Sequence, residues 1–201
     1  MIRHIYKYTN MVKSFNFTEK EKYVSIRISK FYLDNFNLEK LYNLLCCYNK
    51  NNKISLSVIN WFATNYSKKY NIVYQINRPY GQIDYFSVYR SYKAHMIAYS
   101  KKLFDPYCRG SNLVQLEYNN HKFETNIAQL NFLKWVFENL VLEYISNNID
   151  QIILDKQQYE TKTTKNDKNP IKKTKQRLSI SIHNKMLCSD ELKSVKLIQL
   201  K

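Results

Sequence analysis

Along the first half of the chain the apolar positions change period several times. In YVSIRIS, Tyr23 to Ser29, Val24, Ile26 and Ile28 alternate with Ser25 and Arg27, the period of two expected of a half-buried strand. After Asn37, read as an N-cap, Leu38, Leu41, Leu45 and Tyr48 recur at helical spacing, so a helix follows. NKNNK, Asn49 to Lys53, is a polar loop. Ser55 or Ser57 then caps a further helix that carries Ile59, Phe62, Tyr66 and Tyr70 on one stripe. NIVYQI, Asn71 to Ile76, reads as a short strand ended by Asn77, Arg78 and Pro79, and Pro79 with Gly81 marks a turn.

In the next segment Tyr85, Tyr89, Tyr92, Met96, Tyr99 and Leu103 recur at steps of four and three, so they share one helical face, with Asp84 as the cap. That helix has to stop before Asp105 and Pro106, because the residue before a proline is pushed out of the helical region. SKKLFDPYCRG, Ser100 to Gly110, is therefore first of all a terminator and a turn. Beyond it, LVQLEY and HKFET flank Asn119 and Asn120, two residues that tolerate the positive φ of a two-residue hairpin. In that register Tyr118 faces His121, Leu116 faces Phe123 and Val114 faces Thr125. Asn126 with Gln129 has the form of a capping box and opens IAQLNFLKWVFENLVLEYI, apolar nearly all round and so the helix expected to be most buried.

Ser146-Asn147-Asn148 interrupts that pattern, and IDQIILDKQQYE adds a short amphipathic turn or two. TKTTKNDKNPIKKTKQ, Thr161 to Gln176, has almost no apolar residue with which to offset its ordering entropy and reads as a linker. RLSISIH and SVKLIQL then read as two returning strands. The expected fold class is α+β: a single domain with a mixed or antiparallel sheet packed against several helices. Its main body spans 1–160, its basic flexible linker 161–176 and its returning strands 177–201. The 23–29 strand, the 113–125 hairpin and the C-terminal strands are expected to share the sheet.

Length and composition support one domain and add a strong charge. The 201 residues carry 32 Lys+Arg against 16 Asp+Glu, a net +16. A charge so far from zero suits a polyanionic partner: nucleic acid, anionic lipid or an acidic protein. Abundant Lys, Asn, Ile and Tyr with little Gly or Pro is also what an A+T-rich genome encodes, a source of lysine that needs no partner. No apolar run approaches the roughly 18 residues of a membrane span, and MIRHIYKYTN lacks the apolar core of a signal peptide. A soluble, intracellular protein without membrane attachment is expected.

Two glycines, Gly81 and Gly110, leave no glycine-rich loop to cradle a phosphate, which argues against a nucleotide hydrolase. Cys46, Cys47, Cys108 and Cys188 lack the paired spacing of zinc sites, and His4, His95, His121 and His183 share no ligand spacing. No metal or cofactor is expected. Cys108 beside Arg109 reads as a buried thiol in a tight turn, with Arg109 pairing a carboxylate such as Glu117 or Glu124. A nucleophile there would need an orienting third group that the sequence does not offer. No catalytic residue is assigned, and the expectation is a protein that is not an enzyme.

Charge placed on structure gives the candidate surface. If the tyrosine stripe packs inward, Arg90, Lys93, Lys101 and Lys102 form the outer face of its helix, with Arg109 just beyond. From Lys162 to Arg177 there are seven cations and one acid, Asp167, and within that segment Lys172, Lys173, Lys175 and Arg177 make KKTKQR a nucleic-acid-type patch.

Taken together, YSKKLFDPYCRG, the hairpin, ETNIAQLNFLKWVFENLVLEYI, the lysine-rich gap and QRLSISI resemble an uncharacterised protein family of nucleocytoplasmic large DNA viruses, mimivirus relatives among them. The resemblance covers roughly Tyr85 to Ile182. It implies a viral origin, in keeping with the composition, and hence action in the host cytoplasm at the virus factory, in the nucleus or in the virion. It carries over no catalytic residues. The expected partner is nucleic acid bound without sequence specificity; the alternative is a scaffold or virion component that binds an acidic viral protein. Replacing Lys172, Lys173 and Lys175 with Gln is expected to flatten the salt dependence of DNA affinity, by about 0.9 in log-log slope for each duplex phosphate no longer neutralised. Thermal stability, followed by circular dichroism, should stay nearly constant.

Overall fold

The segment read as the first strand is a helix. In the computed structural model of the chain, which describes residues 18–47, 53–109 and 113–166, α1 runs Glu19–Tyr32. Thr18 and Glu21 form a capping box at its start: the Thr18 hydroxyl accepts from the Glu21 N–H at 3.3 Å, and the Glu21 carboxylate accepts from the Thr18 N–H at 2.8 Å. These bonds satisfy donors that a helix start leaves without partners. Glu21, Val24, Ser25, Ile28 and Tyr32 are buried, a helical stripe. Val24 and Ile28 are four apart and so fit either period; Ile26 decides between them, and it is 47% exposed. A strand would have turned Ile26 to the same side as its two neighbours.

Asp34, not Asn37, caps α2 (Asn35–Leu45), accepting from the Phe36 N–H at 3.0 Å. Asn37 instead donates to the Phe31 carbonyl at 3.1 Å, which ties the start of α2 to the end of α1. Leu41 is fully buried, with Leu38 and Leu45 packed beside it. Ser55 caps α3 (Leu56–Trp61) as expected. The helix widens into a π turn over Phe62–Tyr66 and closes at Ser67–Lys69, with Ile59, Phe62 and Tyr66 buried and Tyr70 outside the core.

β1 (Val73–Asn77) pairs antiparallel with β2 (Ile83–Ser87) across the Pro79–Gly81 turn. This shortens the tyrosine helix, because α4 begins at Val88 (Val88–Leu103). Asp84 is therefore not a cap; it lies in β2 and pairs with Arg78 at 3.3 Å. Tyr85 likewise leaves the helical stripe and stands 68% exposed on the ribbon. The strand prevails because β1 needs a ladder partner and β2 supplies one, with Tyr74 opposite Phe86 and Phe86 buried. At the other end α4 breaks at Ser100 (φ 55°) and its last turn reaches Leu103, ahead of Asp105 and Pro106.

β3 (Leu113–Tyr118) and β4 (His121–Asn126) form the expected hairpin in the expected register, with Asn119 and Asn120 at φ 48° and 64°. The two ribbons are separate two-stranded sheets, so the single sheet expected to include residues 23–29 does not form. Asn126 caps α5 (Ile127–Glu138), which is buried along nearly its whole length. Leu140, in the left-handed region at φ 52°, separates it from α6 (Val141–Asn147). α7 (Ile149–Asn166) then runs much further than the turn or two expected, so Thr161 to Asn166 is helical and not linker. The rest of the linker and the C-terminal strands lie outside the described residues. The architecture is one α+β domain: helices around α5, with two small antiparallel ribbons.

The cap that converts 19–32 into a helix gives a direct check. Thr18→Ala should cost about 1 kcal/mol in urea unfolding, and Thr18→Ser close to nothing, because serine keeps the accepting oxygen. If residues 19–32 were a strand, neither change would matter.

Candidate nucleic-acid interface

α4 divides into two sides as the tyrosine spacing implied. Tyr92, Met96 and Tyr99 pack against the core, and the Tyr92 ring centre lies 6.0 Å from Phe104 and 6.2 Å from Trp135. Trp135 in turn donates its indole N–H to the Ser91 hydroxyl at 2.9 Å, fixing the rotation of α4 on α5. Arg90 and Lys93 are thereby turned to solvent; Lys101, just past the break in the helical backbone at Ser100 (φ 55°), is exposed as well, and none of the three makes an ion pair with another described residue. At the start of the same helix Lys68 lies 5.6 Å from the Tyr89 ring centre.

Lys102 is spent differently. Its ammonium sits 2.9 Å from the buried Glu21 carboxylate and joins α4 to the first turn of α1. Glu21 titrates below its ordinary value because of the Lys102 hydrogen bond first and the Thr18 N–H second, against the opposing effect of burial. Arg109 is exposed, with its Nε 3.7 Å from Asp105 and its guanidinium 4.7 Å from the Tyr107 ring centre; the carboxylate beside it is thus neither Glu117 nor Glu124. Lys172, Lys173, Lys175 and Arg177 lie outside the described residues.

The turn after α4 is held as structure. The Asp105 N–H donates to the Ala128 carbonyl at 3.2 Å, and the Asp105 carboxylate accepts from the Tyr107 N–H at 2.8 Å. Gln129 donates to the Pro106 carbonyl at 2.9 Å and Asn126 to the Arg109 carbonyl at 3.0 Å. Burial, then the nearby Glu124 charge, pushes the Cys108 thiol up to about 11, away from the thiolate a nucleophile needs at neutral pH. Among the described residues no three His, Cys, Asp or Glu side chains gather as a metal site would require, and no helix is long and apolar enough to cross a membrane.

Among the exposed cations that escaped the sequence reading, Lys20, Arg27 and Lys30 all stand on α1. Lys20 donates to the Ala98 carbonyl and lies 5.8 Å from the Tyr99 ring centre. Arg27 donates to the Tyr99 hydroxyl at 3.1 Å. Two cations of α1 thus meet at one tyrosine of α4, more than seventy positions away in sequence. Read as a strand, this segment shows only Arg27 on its polar side; read as a helix opened by Thr18-Glu19-Lys20-Glu21, it places Lys20, Tyr23, Arg27 and Lys30 along one flank.

A small α+β fold with cations gathered where two helices meet is the class these features define. The chain belongs to the family described as "Family of unknown function (DUF7197)", whose model matches residues 6–197. It is similar to "Uncharacterized protein L507" of Acanthamoeba polyphaga mimivirus, 33% identical over 171 residues, which cover 83% of this chain and 64% of that protein. The chain therefore spans just under two thirds of the length of that relative. The viral resemblance seen in the sequence is borne out. No solved structure matches.

The Glu21–Lys102 link has a pH signature. Because the folded carboxyl titrates below its ordinary value of 4.5, its stabilisation is fully present above that pH and is lost as pH falls through the depressed folded value. Urea midpoints measured from neutral pH downward should decline more gently in Glu21→Gln than in the native protein below about pH 4.5. Parallel curves would remove Glu21 from the link.

Proposed function

We propose that this is a viral protein that is not an enzyme and binds nucleic acid without sequence specificity, through the outer face of α4 and the lysine-rich segment from Lys162 to Arg177. The observation that carries the reading is the division of α4. Tyr92 and Tyr99 turn to the core, while Arg90, Lys93 and Lys101 are exposed and make no ion pair with a described residue. Such cations gain most from a partner that is anionic and repeats its charge. On a nucleic acid they displace condensed counterions, and the entropy of that release is what drives binding.

Flexible cations of this kind contact phosphates and leave base edges unread, so affinity without sequence preference follows. Action in the virus factory, the nucleus or the virion suits such a role equally. An acidic viral protein would meet the same cations but bind as a saturable, nuclease-resistant complex.

Affinity of the full chain for a mixed-sequence duplex, measured across a salt series, tests the reading. The native protein should show a steep log-log slope, and Arg90→Gln with Lys93→Gln and Lys101→Gln should reduce it by about 0.9 for every phosphate left without its cation. Stability should change by no more than about 0.5 kcal/mol, since all three side chains are exposed. Absence of binding at low salt, or co-purification of an acidic protein that survives nuclease, would overturn it.

A further inference from the structure

We infer that the outer flank of α1 is a site for single-stranded nucleic acid, with a base stacked on Tyr23 and phosphates taken by Lys20, Arg27 and Lys30. This rests on the reading of the protein as a nucleic-acid binder and names both the strand form and the place.

Tyr23 is 61% exposed on a helix whose opposite face is fully packed, so its ring is not serving the core. Its helical neighbours three before and four and seven after are all cationic: Lys20, Arg27 and Lys30. Lys20 and Arg27, one turn to either side, stand about 5–6 Å from Tyr23 at their Cβ atoms and flank the ring, while Lys30 lies two turns on, about 10.5 Å along the helix axis. The Arg27 guanidinium lies 5.9 Å from the Tyr23 ring centre. Because Arg27 also donates to Tyr99, and Lys20 to the Ala98 carbonyl, α4 holds two of the three cations in place before any ligand arrives. Less side-chain entropy is then lost on binding.

Both acids of the same helix are paired, one of them buried and the other at the surface. Glu21 is buried against Lys102 and Thr18, and Glu19 is paired with Lys22 at 2.7 Å. The flank thus keeps its positive charge while the negative charges of its first turn are neutralised nearby. A polyanion complements that charge, and the exposed ring chooses among polyanions. Duplex bases are already stacked on one another and gain nothing from a tyrosine projecting from a helix. An unpaired base gains a π-face, whatever its identity.

The test compares a labelled oligothymidylate with a labelled mixed-sequence duplex by fluorescence anisotropy, using the full chain and checking each variant by thermal melting. Tyr23→Ala should weaken oligothymidylate binding about tenfold and leave duplex binding unchanged. Tyr23→Phe should restore native affinity, since stacking needs the ring and not the hydroxyl. Arg27→Gln should lower the single-strand salt slope by about 0.7. If the native protein binds and the α4 triple variant weakens it while Tyr23→Ala does not, the inference falls and the broader reading stands. If the native protein binds neither probe, both fall. Binding of polyglutamate that depends on Tyr23, with no preference for oligothymidylate, would assign the flank to an acidic protein and overturn the inference.

Discussion

α5 is apolar on nearly every side, so each neighbour has to cover a different part of it. α1 does so with Tyr32, whose hydroxyl donates to the Leu130 carbonyl at 3.1 Å, and with the Phe31 and Tyr32 rings, each 6.5 Å from Phe137. α4 brings Ser91 to the Trp135 indole, and Phe104 packs 5.2 Å from Phe132. Burying one large apolar side chain contributes about 1.5–3 kcal/mol, and α5 buries several within three turns. Even Lys134 is accommodated: its stem is buried, and its ammonium reaches Glu138 and stands 4.9 Å from the Phe31 ring centre. Among the described residues no other helix buries so many side chains.

The surface follows from that packing. With α1 and α4 both seated on α5, the flank of one comes against the flank of the other, and Tyr99 is the seam where Lys20 and Arg27 arrive. The polar counterpart sits at the N-terminus of α5. Gln129 takes a hydrogen bond from Thr125 at 2.8 Å and gives one to Pro106, while Asn126 caps the helix and holds the Arg109 carbonyl. The Asp105–Arg109 turn is therefore committed to fixing β4, α4 and α5 together, and this is why so many unusual residues fall in one short stretch without forming a reactive centre.

What the sequence disclosed depended on whether a pattern admitted one reading. Asn119-Asn120 between alternating segments did, and its register emerged unchanged. So did the all-round apolarity of α5 and the stop before Pro106. Val24 and Ile28 did not, since a separation of four satisfies both a strand and a helix. Tyr85 misled for a similar reason: its step of four to Tyr89 continued a genuine helical series across the point where β2 gives way to α4. The length of α7 was hidden because its last residues, Thr161 to Asn166, are polar and rich in threonine, a poor helix former, and look like linker once apolar residues stop, although Lys156 and Glu160 pair at 2.7 Å, one turn apart. The break at Leu140 left no signal, because a leucine there stands where a glycine would have announced the turn. Of the candidate site, the α4 cations were legible through the tyrosine stripe, whereas those of α1 were lost with the misread helix.

Composition also misplaces the charge. The described residues hold nineteen Lys and Arg against thirteen Asp and Glu, so most of the net +16 belongs to sequence outside them. Within the fold, pairing decides which cations face outward unspent. Lys69 is bound to the buried Asp155, whose burial opposes ionisation but whose hydrogen bonds from Lys69 and Tyr70 together hold it below the ordinary carboxylate range; Lys53 pairs with Asp150, Lys40 with Glu143 and Lys102 with Glu21. These lysines join α7, α6 or α1 to elements distant in sequence, and their charge is spent inside the molecule. Arg90, Lys93, Lys101 and Lys30 make no ion pair with a described residue and stand on the same two helices that meet at Tyr99; Lys68, Lys122 and Lys162, on other elements, are exposed and make none either. The basic surface of α1 and α4 is thus a consequence of where the acids went, and α5, by setting the positions of those two helices, brings that share of the remaining positive charge together.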